Sequence, residues 1–160
     1  MQAAQIFATI ATITAHDAGD NKDPRTELDS HSNMVVLGAH TFIFESTNRT
    51  CNVQPFDPSL VTASKIPIVD GAVVYECPYT GEIYVLIVRN ALYIPHLRNN
   101  LIPPFLMRDA GVTLNYTPKI HSKDPTIDNH CITFEESDLR IPLQLSGVFS
   151  YFHTRKPTFS

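Results

Sequence analysis

Apolar and polar positions in this chain alternate in short runs, most of them too short and too β-branched for helices. Ile6, Ala8, Ile10, Thr12 and Thr14 share one face of a predicted strand over residues 6–15. Residues 16–26 are polar, carry Gly19 and Pro24, and predict a loop. Residues 34–37 and 41–45 predict two strands separated by Gly38-Ala39-His40, a hairpin-like gap. Residues 51–56 predict a short strand ended by Asp57-Pro58. Residues 66–69 and 72–77 flank Asp70-Gly71, the strongest tight-turn dipeptide in the chain. After a further turn at Tyr79-Thr80-Gly81-Glu82, residues 83–88 are continuously apolar and fit a strand buried on both faces. Residues 91–94 continue extended to Pro95.

One short helix is predicted over residues 103–111. Proline stands at its first turn, where a missing N–H costs nothing, and Gly111 at its C-cap. Strands resume at 112–115, 131–134, 139–145 and 148–152, and residues 155–160 read as a tail. Many short strands, frequent turns and one helix predict an all-β fold, closed or nearly closed into a barrel.

Composition narrows the function classes. The 160 residues fit one domain, and 43% hydrophobic content supports a core. A net charge of −4 without any long basic run argues against nucleic-acid binding. Seven histidines make the charge sensitive to mild acid. Three widely spaced cysteines, Cys51, Cys77 and Cys131, fit neither a disulfide framework nor a CxxC zinc site. They point to a reducing, intracellular (cytoplasmic) setting, and Cys77, before Pro78, reads as a buried, inert thiol. The sequons at Asn48-Arg49-Thr50 and Asn115-Tyr116-Thr117 leave secretion open. The N-terminal apolar stretch has no basic residue before it and is interrupted by threonines, so it does not read as a signal peptide. No segment reaches the ~20 apolar residues of a membrane span. The histidines show no compact ligand spacing, so no metal is expected, and no cofactor-binding loop is present.

The candidate chemistry lies in Glu27-Leu28-Asp29-Ser30-His31-Ser32, which runs into the apolar stretch Met34-Val35-Val36-Leu37. That context suits a carboxylate held at a strand end. A lone carboxylate is a poor catalyst of peptide hydrolysis. Two carboxylates about 3 Å apart share one proton, so that one activates water as a base while the other acts as an acid. The chain has no second Asp-Ser element of this kind. A catalytic Asp29 therefore needs the same residue of a second copy across a two-fold axis. Ser30 would fix the carboxylates by hydrogen bonding. The alternative is a turn aspartate satisfied by backbone amides.

A second block changes the balance. In Asn90-Ala91-Leu92-Tyr93-Ile94-Pro95-His96-Leu97-Arg98-Asn99-Asn100-Leu101-Ile102, continuing to Gly111, the sequence resembles the end of the protease region of copia-type retrotransposon polyproteins. Asn90, Leu92, Tyr93, Pro95, Leu97, Asn100, Leu101 and Gly111 match that family's pattern in place. Ala91, Ile94, Ile102 and Met107 are apolar substitutes, while Pro103 and Pro104 depart from it. The family's L-D-S-G-A element falls on Leu28-Asp29-Ser30-His31-Ser32. Its flap region falls on Ile68-Val69-Asp70-Gly71-Ala72-Val73.

The resemblance implies a retropepsin-like (acid protease) β-barrel over residues 27–115, active as a homodimer without metal or cofactor. An N-terminal arm, 1–26, would precede it, and a C-terminal β extension, 116–160, would follow. Asp29 and Ser30 carry over as catalytic residues. His31, Asp70, Gly71 and Ala72 carry over as substrate-binding positions around an extended peptide or polyprotein. His31 stands where the family has glycine, which lets the backbone approach the carboxylate. A histidine adds bulk there and, once protonated, a positive charge beside the dyad. This substitution motivates the rival reading: an inactive retroelement-derived β-module that self-assembles, even into filaments, as a structural or binding protein.

Overall fold

The computed structural model describes residues 2–7, 23–53, 63–116, 123 and 126–158, with the backbone alone for 2–7, 116 and 127. The strands are β1 (Gln2–Phe7), β2 (Arg25–Leu28), β3 (Val36–Leu37), β4 (Phe42–Val53), β5 (Ala63–Glu76), β6 (Ile83–Tyr93) and β7 (Asn100–Ile102). Helix α1 (Pro104–Asp109) follows, then β8 (Thr113–Tyr116), β9 (His130–Phe134), β10 (Leu139–Pro142), β11 (Gln144–Ser146) and β12 (Phe149–His153). A nine-stranded sheet runs β11-β12-β2-β7-β3-β6-β5-β4, with β1 beside β6, and a three-stranded sheet runs β10-β9-β8. The large sheet is mixed: β2 with β7, β3 with β6 and β1 with β6 pair parallel, the rest antiparallel. The fold is thus mostly β with one short helix. Neither sheet closes among the described residues, because β11 and β4 end the strand order without meeting.

Packing on two faces explains the apolar run before β4. Val35 and Leu37 join a core shared with β9, β10, α1 and Phe152, while Met34 and Val36 join a second cluster with Ile68, Leu92, Ile94 and Leu101. Successive side chains of an extended chain point to opposite faces, so each neighbour enters a different core. Residues 83–88 behave otherwise. Tyr84, Leu86 and Val88 are buried, whereas Val85 and Ile87 are only half-buried. The strand there has one well-covered face, not the two that its uninterrupted hydrophobicity predicts.

Several predicted boundaries move. The structure makes β5 one continuous strand through Asp70-Gly71, so no turn forms there. Gly71 does not adopt the positive φ that a tight turn requires. It serves close packing instead: an added Cβ would lie 2.7 Å from the Leu37 Cδ1 and 3.0 Å from the Thr41 Cγ2. The β5–β6 reversal falls at the second predicted turn, where Gly81 has φ +73 and donates to the Cys77 carbonyl at 2.8 Å. Residues 38–40 do not turn a hairpin, since β3 pairs with β6 and β7 and not with β4. Gly38 instead lies against the 97–99 backbone, where a Cβ would fall 2.4 Å from the Leu97 carbonyl oxygen. Residues 25 and 26 belong to β2 despite their polarity. Residues 8–15 of the predicted first strand and 54–56 of the fourth lie outside the described residues.

Helix α1 follows its sequence signals. Pro103 caps it in extended conformation, and Gly111 beyond it takes φ +83. Leu106 and Met107 point into the core and Phe105 outward.

Candidate active site

Strand β2 carries Asp29 between two neighbours that the chain supplies from far away. Thr26, Glu27 and Leu28 pair in parallel with Asn100, Leu101 and Ile102 of β7. On the other side Arg25 to Leu28 pair antiparallel with His153 to Ser150 of β12. Leaving β2, the Asp29 N–H donates to the Ile102 carbonyl at 3.0 Å. The Leu-Asp-Ser element and the 90–111 block, distant in sequence, therefore meet at this point.

The Asp29 side chain turns back over its own loop. Its Oδ1 accepts the His31 backbone N–H at 2.9 Å, and its Oδ2 accepts the Ser32 hydroxyl at 3.2 Å. The Ser32 N–H also donates to the Asp29 carbonyl at 3.3 Å, closing a four-residue turn. Asp29 and Ser32 are 3% and 2% exposed, whereas Ser30 and His31 are exposed. The hydroxyl on the carboxylate is thus that of Ser32 and not of Ser30, the adjacent residue expected to hold it. The signal was present in the Asp-x-x-Ser spacing, because a tight turn returns its fourth residue to its first.

The His31 backbone is free of positive-φ strain. Among the described non-glycine residues, positive φ occurs at Asn48, Lys65, Asn90 and Asp138, so His31 holds no left-handed backbone. Its N–H reaches the carboxylate without glycine's freedom.

Beneath this turn, polar side chains hold the strands in register. Asn100, 2% exposed, accepts the Gly38 N–H at 2.8 Å and the Thr41 hydroxyl at 3.0 Å through its Oδ1. Its Nδ2 donates to the Thr26 hydroxyl at 3.3 Å, and Thr26 and Thr154 share a hydrogen bond of 2.7 Å. On the opposite face of β2, Arg25 and Glu27 form a buried ion pair at 2.8 Å. The Arg25 guanidinium lies over the Tyr151 ring, 4.4 Å from its centroid, and the Asn99 amide donates to Glu27 at 3.3 Å. Burying charge in this way requires such full pairing. That pairing is why three consecutive polar residues, Arg25 to Glu27, sit in an interior strand.

Asp70, Gly71 and Ala72 lie in the buried middle of β5 and do not form a hairpin tip. The Asp70 carboxylate takes the Asn90 N–H at 2.9 Å and pairs with Arg89 at 3.2 Å, across a register shift between Val69 and Gly71. It anchors β5 to β6 where Asn90 takes φ +55.

A separate open cavity of about 680 Å³ is lined by Cys77, Thr80, Glu82, Tyr84, Asp128 and Arg140, among others, none from the Asp29 turn. Cys77 is not the inert buried thiol predicted. It is half-buried, and the Thr80 hydroxyl on its sulfur is the main cause that lowers its pKa. Burial pushes the Cys131 thiol the other way. Burial also pushes the Tyr75 phenol well above its ordinary value, and a hydrogen bond to Glu82 raises that of Tyr84.

Among the described residues, no three His, Cys, Asp or Glu side chains gather to hold a metal ion, and no helix is long and apolar enough to cross a membrane. No protein-family model, curated protein or solved structure matches the chain.

Proposed function

We propose that the chain is one protomer of a homodimeric aspartic endopeptidase, retropepsin-like in fold and derived from a copia-type retroelement. The observation that carries this reading is the meeting of its two resemblance elements: Asp29 leaves β2 bonded to Ile102 of the 90–111 block. A backbone N–H and a hydroxyl grip the carboxylate, as a catalytic group held in one orientation needs. With a second copy, one Asp29 takes a proton from water as the oxygen attacks the peptide carbonyl. The other gives its proton to the carbonyl oxygen. The C–N bond then breaks as the amine nitrogen takes up a proton. An extended peptide or polyprotein segment is the substrate, bound by main-chain hydrogen bonds. Three free thiols fit an intracellular setting.

Asp29→Asn is expected to abolish peptide cleavage while leaving the fold intact, and a statine-type inhibitor to bind the parent alone. Cleavage by Asp29→Asn at the parental rate would sink the reading.

One observation favours the rival, an inactive self-assembling β-module. Asp29 is 3% exposed within one chain, and both its oxygens already hold intrachain partners. A folded parent that neither cleaves unfolded polypeptides nor binds the inhibitor establishes that alternative.

A further inference from the structure

The hairpin formed by β11 and β12 ends beside Asp29. Ser150 pairs with Leu28, and β12 runs antiparallel to β2. Leu28 is the residue before Asp29, and Phe149, the residue before Ser150, pairs with Ser146 of β11. The tip, Ser146-Gly147-Val148-Phe149, therefore follows directly on the strand pair that leads into Asp29.

The tip carries an anomaly. Turns of this kind are made of Gly, Asn, Asp, Ser and Pro. Gly147, with φ +60, obeys that rule, but its neighbour Val148 is 81% exposed. Leu145, on the same hairpin, is 40% exposed. A β-branched apolar side chain at a solvent-facing tip gains nothing within one chain. β11 also ends the nine-stranded sheet, with all three of its residues exposed.

We propose that the β11–β12 hairpin tip is the contact through which a second copy of this chain docks, with Val148 and Leu145 buried against that copy. The proposal rests on the protease reading, in which the site is incomplete without the partner's Asp29. Two carboxylates sharing a proton lie about 3 Å apart. Each must then sit close to the two-fold axis, and a solvent-exposed segment beside the Asp29 turn is placed to meet the other copy. The hairpin is such a segment, and its exposed apolar residues suit burial there. The contact is isologous, the same surface on both copies, so it closes at two.

Sedimentation velocity over a dilution series tests this, with parent, Val148→Asp, Leu145→Asp, the milder Val148→Ser, and Tyr79→Asp as control. Tyr79 is 74% exposed in the β5–β6 turn, on another part of the chain. Circular dichroism verifies folding of each variant. The parent is expected to dimerise, and the two aspartate variants to raise the dimer dissociation constant at least about tenfold. Val148→Ser is expected to raise it less, and Tyr79→Asp to leave it unchanged. A dimer no weaker in Val148→Asp than in Tyr79→Asp overturns the docking assignment. It leaves the protease reading intact if cleavage still depends on Asp29. A parent monomeric at every concentration, or an open polymer insensitive to Val148→Asp, overturns it too. Cleavage activity then reports separately on the reading beneath it.

Discussion

The Asp29 backbone N–H donates to the Ile102 carbonyl at 3.0 Å, so the candidate catalytic turn hangs from β7. Ile102 is 1% exposed and packs in the main core. Its side chain is the floor that keeps this carbonyl in place.

Ile102→Ala is therefore expected to lower stability by about 2–5 kcal/mol through lost burial and the cavity left behind. Any cleavage activity should fall with it even at temperatures where the protein stays folded. Urea titration, with peptide hydrolysis measured below the transition, checks both.

Ser32 holds the second oxygen of Asp29 at 3.2 Å. Ser32→Ala frees the carboxylate to rotate, and a misplacement on the order of 1 Å costs about 10²-fold in rate. A fall in kcat larger than any change in KM, with Ser32→Thr recovering most of it, is the expected pattern. Equal kcat in parent and Ser32→Ala would show that the hydroxyl does not position Asp29.

The Arg25–Glu27 pair gives a stability prediction. Removing one member of a buried ion pair strands the other, at a cost of roughly 3–5 kcal/mol. Glu27→Gln keeps the shape and the Asn99 partner, so it is expected at the low end. Arg25→Met also loses the contact with Tyr151 and is expected at the high end. Replacing both members with apolar residues should restore part of the loss, and chemical denaturation of the singles and the double measures the coupling.

Cysteine reactivity separates two thiols of opposite tendency. The thiolate is the nucleophile, so a lowered pKa raises the reactive fraction at a given pH. Cys77, lowered by the Thr80 hydroxyl, should alkylate faster at neutral pH than Cys131, raised by burial. Thr80→Val removes the main lowering contact and should move the Cys77 rate profile to higher pH. Iodoacetamide labelling followed by peptide mass analysis reads each rate.

Local signals were legible in the sequence where they act alone. The helix at Pro104–Asp109 begins after proline and ends before glycine, as its residues require. Most strands fall where β-branched runs stand. Asp70-Gly71 misled because the same dipeptide serves a turn or a close approach, and only the position of Leu37 and Thr41 decides between them. Arg25 and Thr26 read as loop because their burial depends on Tyr151, Asn100 and Thr154, partners that no local window contains. Within the site, Asp29 was legible from its strand-end context. Ser32 was not legible from adjacency to Asp29, because only the tight turn closed by its N–H on the Asp29 carbonyl brings its hydroxyl to the carboxylate.

The placement of β12 has a consequence for the order of events on the ribosome. Strand β2 emerges early, yet one of its two neighbours is β12, made after almost everything else described here. Until residue 153 has left the exit tunnel, β2 keeps an unpaired flank and Arg25 lacks the Tyr151 ring over it. Domains fold as units once their parts are available. The turn that holds Asp29 therefore gains its second strand neighbour only late in synthesis, whatever the rest of the chain has already formed.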